Sequence, residues 1–247
     1  MWPDVLDMRD FYASSLGHVT EHMLSRKIRA FWPTMKGQNM MALGYTTPYL
    51  KDYRNEAKRL VALAPAEQGA LSWERKKPNI VVLTEETLLP LGAKSVDCAL
   101  LIHALEFTSQ PRELIREVWR VLVDGGRLLL VVPNRLGFWS RRDKNPFGQG
   151  HTYNCLQIEN FLNDNMFTPL RTERALYMPP SQSTLLLSMA SAWERLGYRW
   201  FHTLSGALII EASKQVYAGH GITEPVWQEQ LQFSKKAAVS LKISSRL

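Results

Sequence analysis

His103 closes the apolar run VDCALLIHAL, and Glu106 follows three residues later. A histidine at the end of a buried strand in an open α/β sheet stands where ligands collect. There it can take a proton from an acceptor or orient one. It reads equally as a capped, hydrogen-bonded structural histidine, and Glu106 as either a substrate-orienting acid or a cap. Upstream, NMMALGYTTPYL (residues 39–50) passes from an apolar stretch through Gly44, Tyr45 and Thr46 into Thr47 and Pro48. That is the outline of a strand, a tight turn and a helix start, with Thr47 as N-cap and Pro48 at the first helical position. Glu85 and Glu86 stand in a loop ahead of Leu89 and Pro90. Residues 134–153, NRLGFWSRRDKNPFGQGHTY, bring His151 and Tyr153 into a polar segment that reads as a pocket lid or as a solvated loop.

These residues need a scaffold, and the hydrophobic periodicity supplies one. Apolar residues recur at helical spacing over 7–32. Residues 40–43 read as a strand, 44–48 as the turn, and 49–63 as a helix. Residues 69–73 and 79–83 read as short strands, and 84–92 as a loop. The nearly continuous apolar run 96–102 reads as a parallel strand covered on both faces. Residues 111–122, PRELIREVWRVL, form an amphipathic helix that Asp124-Gly125-Gly126 is expected to end. Residues 127–133 form another apolar strand. A helix (155–165), a strand (169–178), a helix (185–196) and a strand (205–214) follow. The alternation predicts an α/β, Rossmann-like, doubly wound sheet that is mostly parallel. It divides as an N-terminal helical segment (1–36), an α/β domain (37–216) and a basic tail (217–247), flexible or a docking arm.

The chain has 247 residues, 45% of them hydrophobic, which suits one domain with a full core. A net charge of +7 comes without a dense basic block interleaved with aromatics, so a nucleic-acid role is disfavoured. No apolar run approaches the ~20 residues that span a bilayer. Cys98 sits in an apolar run, and Cys155 has no metal-ligand spacing beside it, so neither a disulfide framework nor a metal site is expected. With no signal-like N-terminus, the expected location is cytoplasmic.

The stretch LTEETLLPLGAKSVDCALLIHALEFTSQPRELIREVWRVLVDGGRLLLVVPN (83–134) resembles the class I S-adenosylmethionine-dependent methyltransferases, in the ubiquinone/menaquinone-biosynthesis-like, type 11 branch. The resemblance is clear over 40–134 and fainter to 214, and implies a seven-stranded sheet. It implies that Gly44, Tyr45 and Thr46 approach the methionine part of the cofactor. Here the pattern departs from the family's: Thr46 and Pro48 stand for two glycines, and Ala42 for an acid. It implies a ribose-holding acid at the end of the second strand, for which Glu74 is the candidate. It implies an adenine contact from Glu85, with Glu86 beside it. Leu101, Ile102 and His103 would line the cofactor and face the acceptor, with His103 as the catalytic candidate.

Two functions follow. One is methyl transfer from S-adenosylmethionine to a small-molecule acceptor. The other is a catalytically degenerate module that binds a protein partner, with a glyoxalase II-type hydrolase as a candidate.

Overall fold

The computed structural model describes residues 2–73, 78–142 and 144–215, with His202 by its backbone alone. Glu74 and the 217–247 tail lie outside the described residues. Residues 1–215 form one compact unit.

Two N-terminal helices, α1 (Val5–Ala13) and α2 (Ser15–Phe31), meet at Ser14. The Ser14 hydroxyl accepts from the Gly17 N–H, so one residue ends the first helix and caps the second. Seven strands follow: β1 (Asn39–Gly44), β2 (Arg59–Pro65), β3 (Val81–Thr84), β4 (Val96–Ile102), β5 (Leu122–Pro133), β6 (Phe167–Ala175) and β7 (Ala207–Lys214). Their order is β3-β2-β1-β4-β5-β7-β6. The first five run parallel, and β7 is antiparallel to both neighbours. Helix α3 (Pro111–Val121) links β4 to β5, α4 (Cys155–Asp164) precedes β6, and α5 (Thr184–Ser188) and α6 (Ala190–Trp200) lie between β6 and β7.

Each sheet face buries its own set of alternating side chains. Met40, Ala42, Leu100 and Ile102 pack under α1 and α2 through Met8, Tyr12, Leu24 and Ile28. Met41, Leu43, Ala99 and Leu101 pack under α3 and α4 through Leu114, Val118, Ile158 and Leu162. The N-terminal helices therefore cover a face that crossover helices cover in a regular doubly wound sheet.

Several sequence expectations are corrected. No helix occupies 49–63. Thr47–Tyr49 form one short 3-10 turn, further turns follow, and RLVALAP is β2. Its spacing fits either period, but Arg59 through Leu63 pair with Asn39 through Leu43, and that ladder decides. Residues 69–73 are consequently loop rather than strand, so the second strand ends at Pro65, well before Glu74. The strand expected at 79–83 is Val81–Thr84. Gly125 and Gly126 do not cap α3, which stops at Val121; they sit where the β4–β5 register shifts between Val96 and Cys98. The expected helix over 185–196 is two helices, broken at Met189.

Candidate functional site

The site is built on the C-terminal ends of β1, β2 and β4. Gly44 ends β1 at φ +95°, and a Cβ there would stand 2.3 Å from the Ile102 carbonyl oxygen. Glycine is thus demanded by the neighbouring strand's backbone, whatever ligand approaches. Thr46 sits at φ −104°, so its Cβ brings no left-handed strain. Its hydroxyl is buried with no hydrogen-bond partner. With no α-helix after the turn, no helix N-terminus of useful length points at a ligand there.

Beside the turn, one pole of the site is closed. His103 is fully buried at φ +54°, in the left-handed region that histidine enters more readily than most residues. Both ring nitrogens are engaged: Nε2 with the Tyr12 hydroxyl at 2.7 Å, and Nδ1 with Glu106 Oε1 at 3.1 Å. Tyr12 Oη lies 2.6 Å from Tyr49 Oη, and the Phe147 ring closes on His103 with centroids 4.7 Å apart. Burial holds the Tyr12 and Tyr49 hydroxyls far above the ordinary phenol range, so both stay protonated and can donate. Glu106 Oε2 alone in this chain of groups is buried without a partner.

The other pole is open. A cavity of about 240 Å³ lies among Gly44, Tyr45, Ala64, Gln68 and Trp73, with Val5 and Arg9 of α1 above it. The Val5 N–H donates to the Gln68 carbonyl at 2.9 Å, tying the roof helix to the loop after β2. Tyr45 stacks on Tyr12 at 5.3 Å and joins the two poles; burial pushes its hydroxyl up to about 12. Gln68 is 3% exposed and its Nε2 has no partner among the described residues. A buried, unpaired amide is costly to the fold, which makes it a group awaiting an acceptor.

The sequence-derived residues divide accordingly. Gly44 and Tyr45 line the cavity, and Thr46 lies buried next to them. Leu101 and Ile102 are wholly buried, one in each core layer. Glu85 is exposed on the loop after β3, while Glu86 accepts from the Thr108 hydroxyl at 2.7 Å. That loop is anchored by Glu117, which accepts from the Leu89 N–H at 3.0 Å and from an Arg120 fork at 2.8 Å. Tyr153 donates to the Leu105 carbonyl at 3.4 Å, and the exposed His151 ring meets it edge-to-face with centroids 4.8 Å apart. Arg9, Tyr12, Tyr49 and Gln68 were not singled out from sequence. Gln68 becomes visible once RLVALAP is read as a strand, because it then stands three residues past a strand end.

The family model for a methyltransferase domain matches residues 41–130. A methyltransferase of Thermotoga maritima dependent on S-adenosylmethionine superposes with a TM-score of 0.63 at 15% identity, covering 85% of this chain and 96% of that one. This is the class I methyltransferase fold. A chain from the Haloferax volcanii complex of the Trm112 methyltransferase activator and a methyltransferase gives 0.60 at 14% identity, covering 87% of this chain and all of that one. The uncharacterised protein YafS of Escherichia coli K12 is 26% identical over 155 residues, 63% of this chain. The chain covers 57% of the length of that relative. No helix among the described residues is long and apolar enough to cross a membrane, and none of their His, Cys, Asp and Glu side chains cluster to hold a metal.

The methyltransferase fold implies S-adenosylmethionine, and the residues of the open pole fit part of it. Gln68 Nε2 has no partner among the described residues, and Arg9 lies beside it with its guanidinium forked onto Asp10 Oδ1 at 2.9 and 2.8 Å. No acid ends β2, whose last residues are Ala64 and Pro65. At about 240 Å³ the cavity lies below the roughly 300–1,000 Å³ of whole-ligand pockets, so it matches a portion of the cofactor rather than all of it.

Proposed function

We propose that this domain binds S-adenosylmethionine at the open pole and transfers its methyl group to a small-molecule acceptor. The observation that carries the reading is the unpaired Gln68 amide in the cavity at the ends of β1 and β2. Bound there, the cofactor would supply an already activated methyl group, so few catalytic side chains are required. Gln68 would donate to a hydroxyl oxygen in place of the absent acid, and Arg9 would face a carboxylate. Gly44, Tyr45 and Thr46 would form the adjoining wall, with Glu85 and Glu86 at the adenine side. Glu74, the sequence-derived ribose partner, stays outside this assignment.

His103 has no free ring nitrogen, so its catalytic role runs through Tyr12. A proton passed to the Tyr12 oxygen can move on to His103 Nε2, with Glu106 steadying the ring through Nδ1. Two free cysteines fit a reducing, cytoplasmic setting.

Isothermal titration with S-adenosylmethionine and S-adenosylhomocysteine tests the reading. Saturable heat, with thermal stabilisation of ~2.7 kcal/mol at a hundredfold excess over Kd, is expected. Absence of heat and of stabilisation at millimolar ligand would overturn it and leave the partner-binding module standing.

A further inference from the structure

The loop after β5 and the end of α6 share an exposed apolar surface. Leu136, Phe138, Leu196, Trp200 and Phe201 are each 41–68% exposed. The two segments are joined by hydrogen bonds and close backbone contact. The Asn134 side-chain amide donates to the carbonyls of Thr203 and Ser205 at 3.0 and 2.8 Å. Gly137 lies so close to Ser205 that a Cβ would stand 2.2 Å from its carbonyl oxygen. The Leu204 N–H closes back on the Phe201 carbonyl at 2.9 Å. This surface stands at the C-terminal end of β5, on the same edge of the sheet as the candidate site.

Arginines border the apolar residues. Arg135 and Arg141 are exposed on the loop, and Arg195 and Arg199 on α6. Arg199 lies 5.9 Å from the Trp200 ring centroid. Residues 135–142 contain no acidic residue, and residues 190–201 contain Glu194 alone. Glu194 is half-buried and accepts the Tyr177 N–H at 2.6 Å, so it does not screen the arginines from outside.

We propose that this surface docks on an anionic phospholipid bilayer. Aliphatic and aromatic side chains ringed by arginine suit a headgroup boundary, where the rings and methyls enter the interface and the guanidiniums meet phosphate. The charge of the chain's own tail does not complement the arginines. Residues 216–247 hold Lys235, Lys236, Lys242 and Arg246 against Glu224 and Glu229, a net +2 from four minus two. A second copy related by a two-fold axis would bring eight arginines into one interface with no free acidic residue from either segment to pair them. A nucleic acid would leave Leu136 and Leu196 facing phosphate. The docking is independent of methyl transfer.

Co-sedimentation of the full chain with vesicles tests it, comparing phosphatidylcholine alone with phosphatidylcholine containing phosphatidylglycerol. Binding is expected to the anionic vesicles and to weaken with salt. Arg195→Gln and Arg199→Gln should each weaken it roughly fivefold, and the pair Phe138→Ser with Trp200→Ser by more than tenfold. All four side chains are exposed, so an unchanged thermal midpoint confirms folding. Equal binding to neutral vesicles overturns the proposal, as does unchanged binding in the variants, which would assign the effect to the basic tail. No vesicle binding at low salt also overturns it and leaves an acidic protein to account for the arginines. A dimer by light scattering that Leu196→Asp dissolves would make the surface a self-interface instead.

Discussion

The two poles of the site meet at Tyr45 and have opposite characters. At the β4 pole, Glu106, His103, Tyr12 and Tyr49 are linked by hydrogen bonds inside the core, with Glu106 Oε2 alone left without a partner among the described residues. At the β2 pole, Gln68 keeps an amide that nothing among the described residues satisfies, next to open volume. A closed network stabilises the fold and specifies a unique packing. An unpaired buried amide does neither, so its presence argues for a ligand. The contrast teaches that a residue's place in a family pattern and its availability for chemistry are separate matters. His103 holds the family position and is reached only through Tyr12; Gln68 holds none and keeps its amide without a partner among the described residues.

Changes at the two poles should therefore separate stability from binding. The largest effect is expected at their junction. Gly44→Ala forces a Cβ against the Ile102 carbonyl and a non-glycine residue into a positive φ, and should cost at least about 3 kcal/mol in urea unfolding. Next, Tyr12→Phe removes the partner of both His103 Nε2 and Tyr49 Oη. It should lower unfolding free energy by ~1–3 kcal/mol while leaving cofactor heat intact once the variant is folded. Loss of cofactor binding in a folded Tyr12→Phe protein would break the division between the poles.

Gln68→Leu should act in reverse. Stability should hold or rise by up to ~1 kcal/mol, because a buried unpaired amide is removed, while cofactor binding falls below detection. A large loss of stability instead would mean the amide is already satisfied in solution.

The smallest effect concerns pH, at the anchor of the β3–β4 loop. The Arg120 fork holds the Glu117 carboxyl below its ordinary range, helped by the Leu89 N–H and opposed by burial. A depressed carboxylate contributes stability that is fully present above its unfolded pKa of about 4.3 and is lost as pH falls through its folded value. Glu117→Gln should flatten that acid limb in thermal melts below about pH 4.3 and leave neutral-pH binding unchanged.

The strands that form the centre of the sheet were legible because their residues are apolar on both faces and bounded by turn residues. VDCALLI and RLLLVVP admit no other reading at their length, and PRELIREVWRV repeats an apolar face too regularly for a strand. RLVALAP did not carry that clarity. Its apolar residues also fit the helix that YLKDYRNEAK begins, and this one misreading moved the expected end of the second strand to Glu74 and hid Gln68. The candidate site was half legible for the same reason: Gly44 and His103 announce themselves by type and place, whereas Arg9 and Tyr12 come from a helix more than 30 residues before the turn they cover.

Composition and periodicity alone determined the α/β class and the order of the central elements, because these depend on local sterics and on burial of short apolar runs. Only the tertiary structure decided that β2 is a strand, that α1 and α2 roof the sheet, and that His103 is closed while Gln68 is open. Those outcomes depend on which backbone finds a pairing partner and which side chains meet across the fold, and local sequence holds neither.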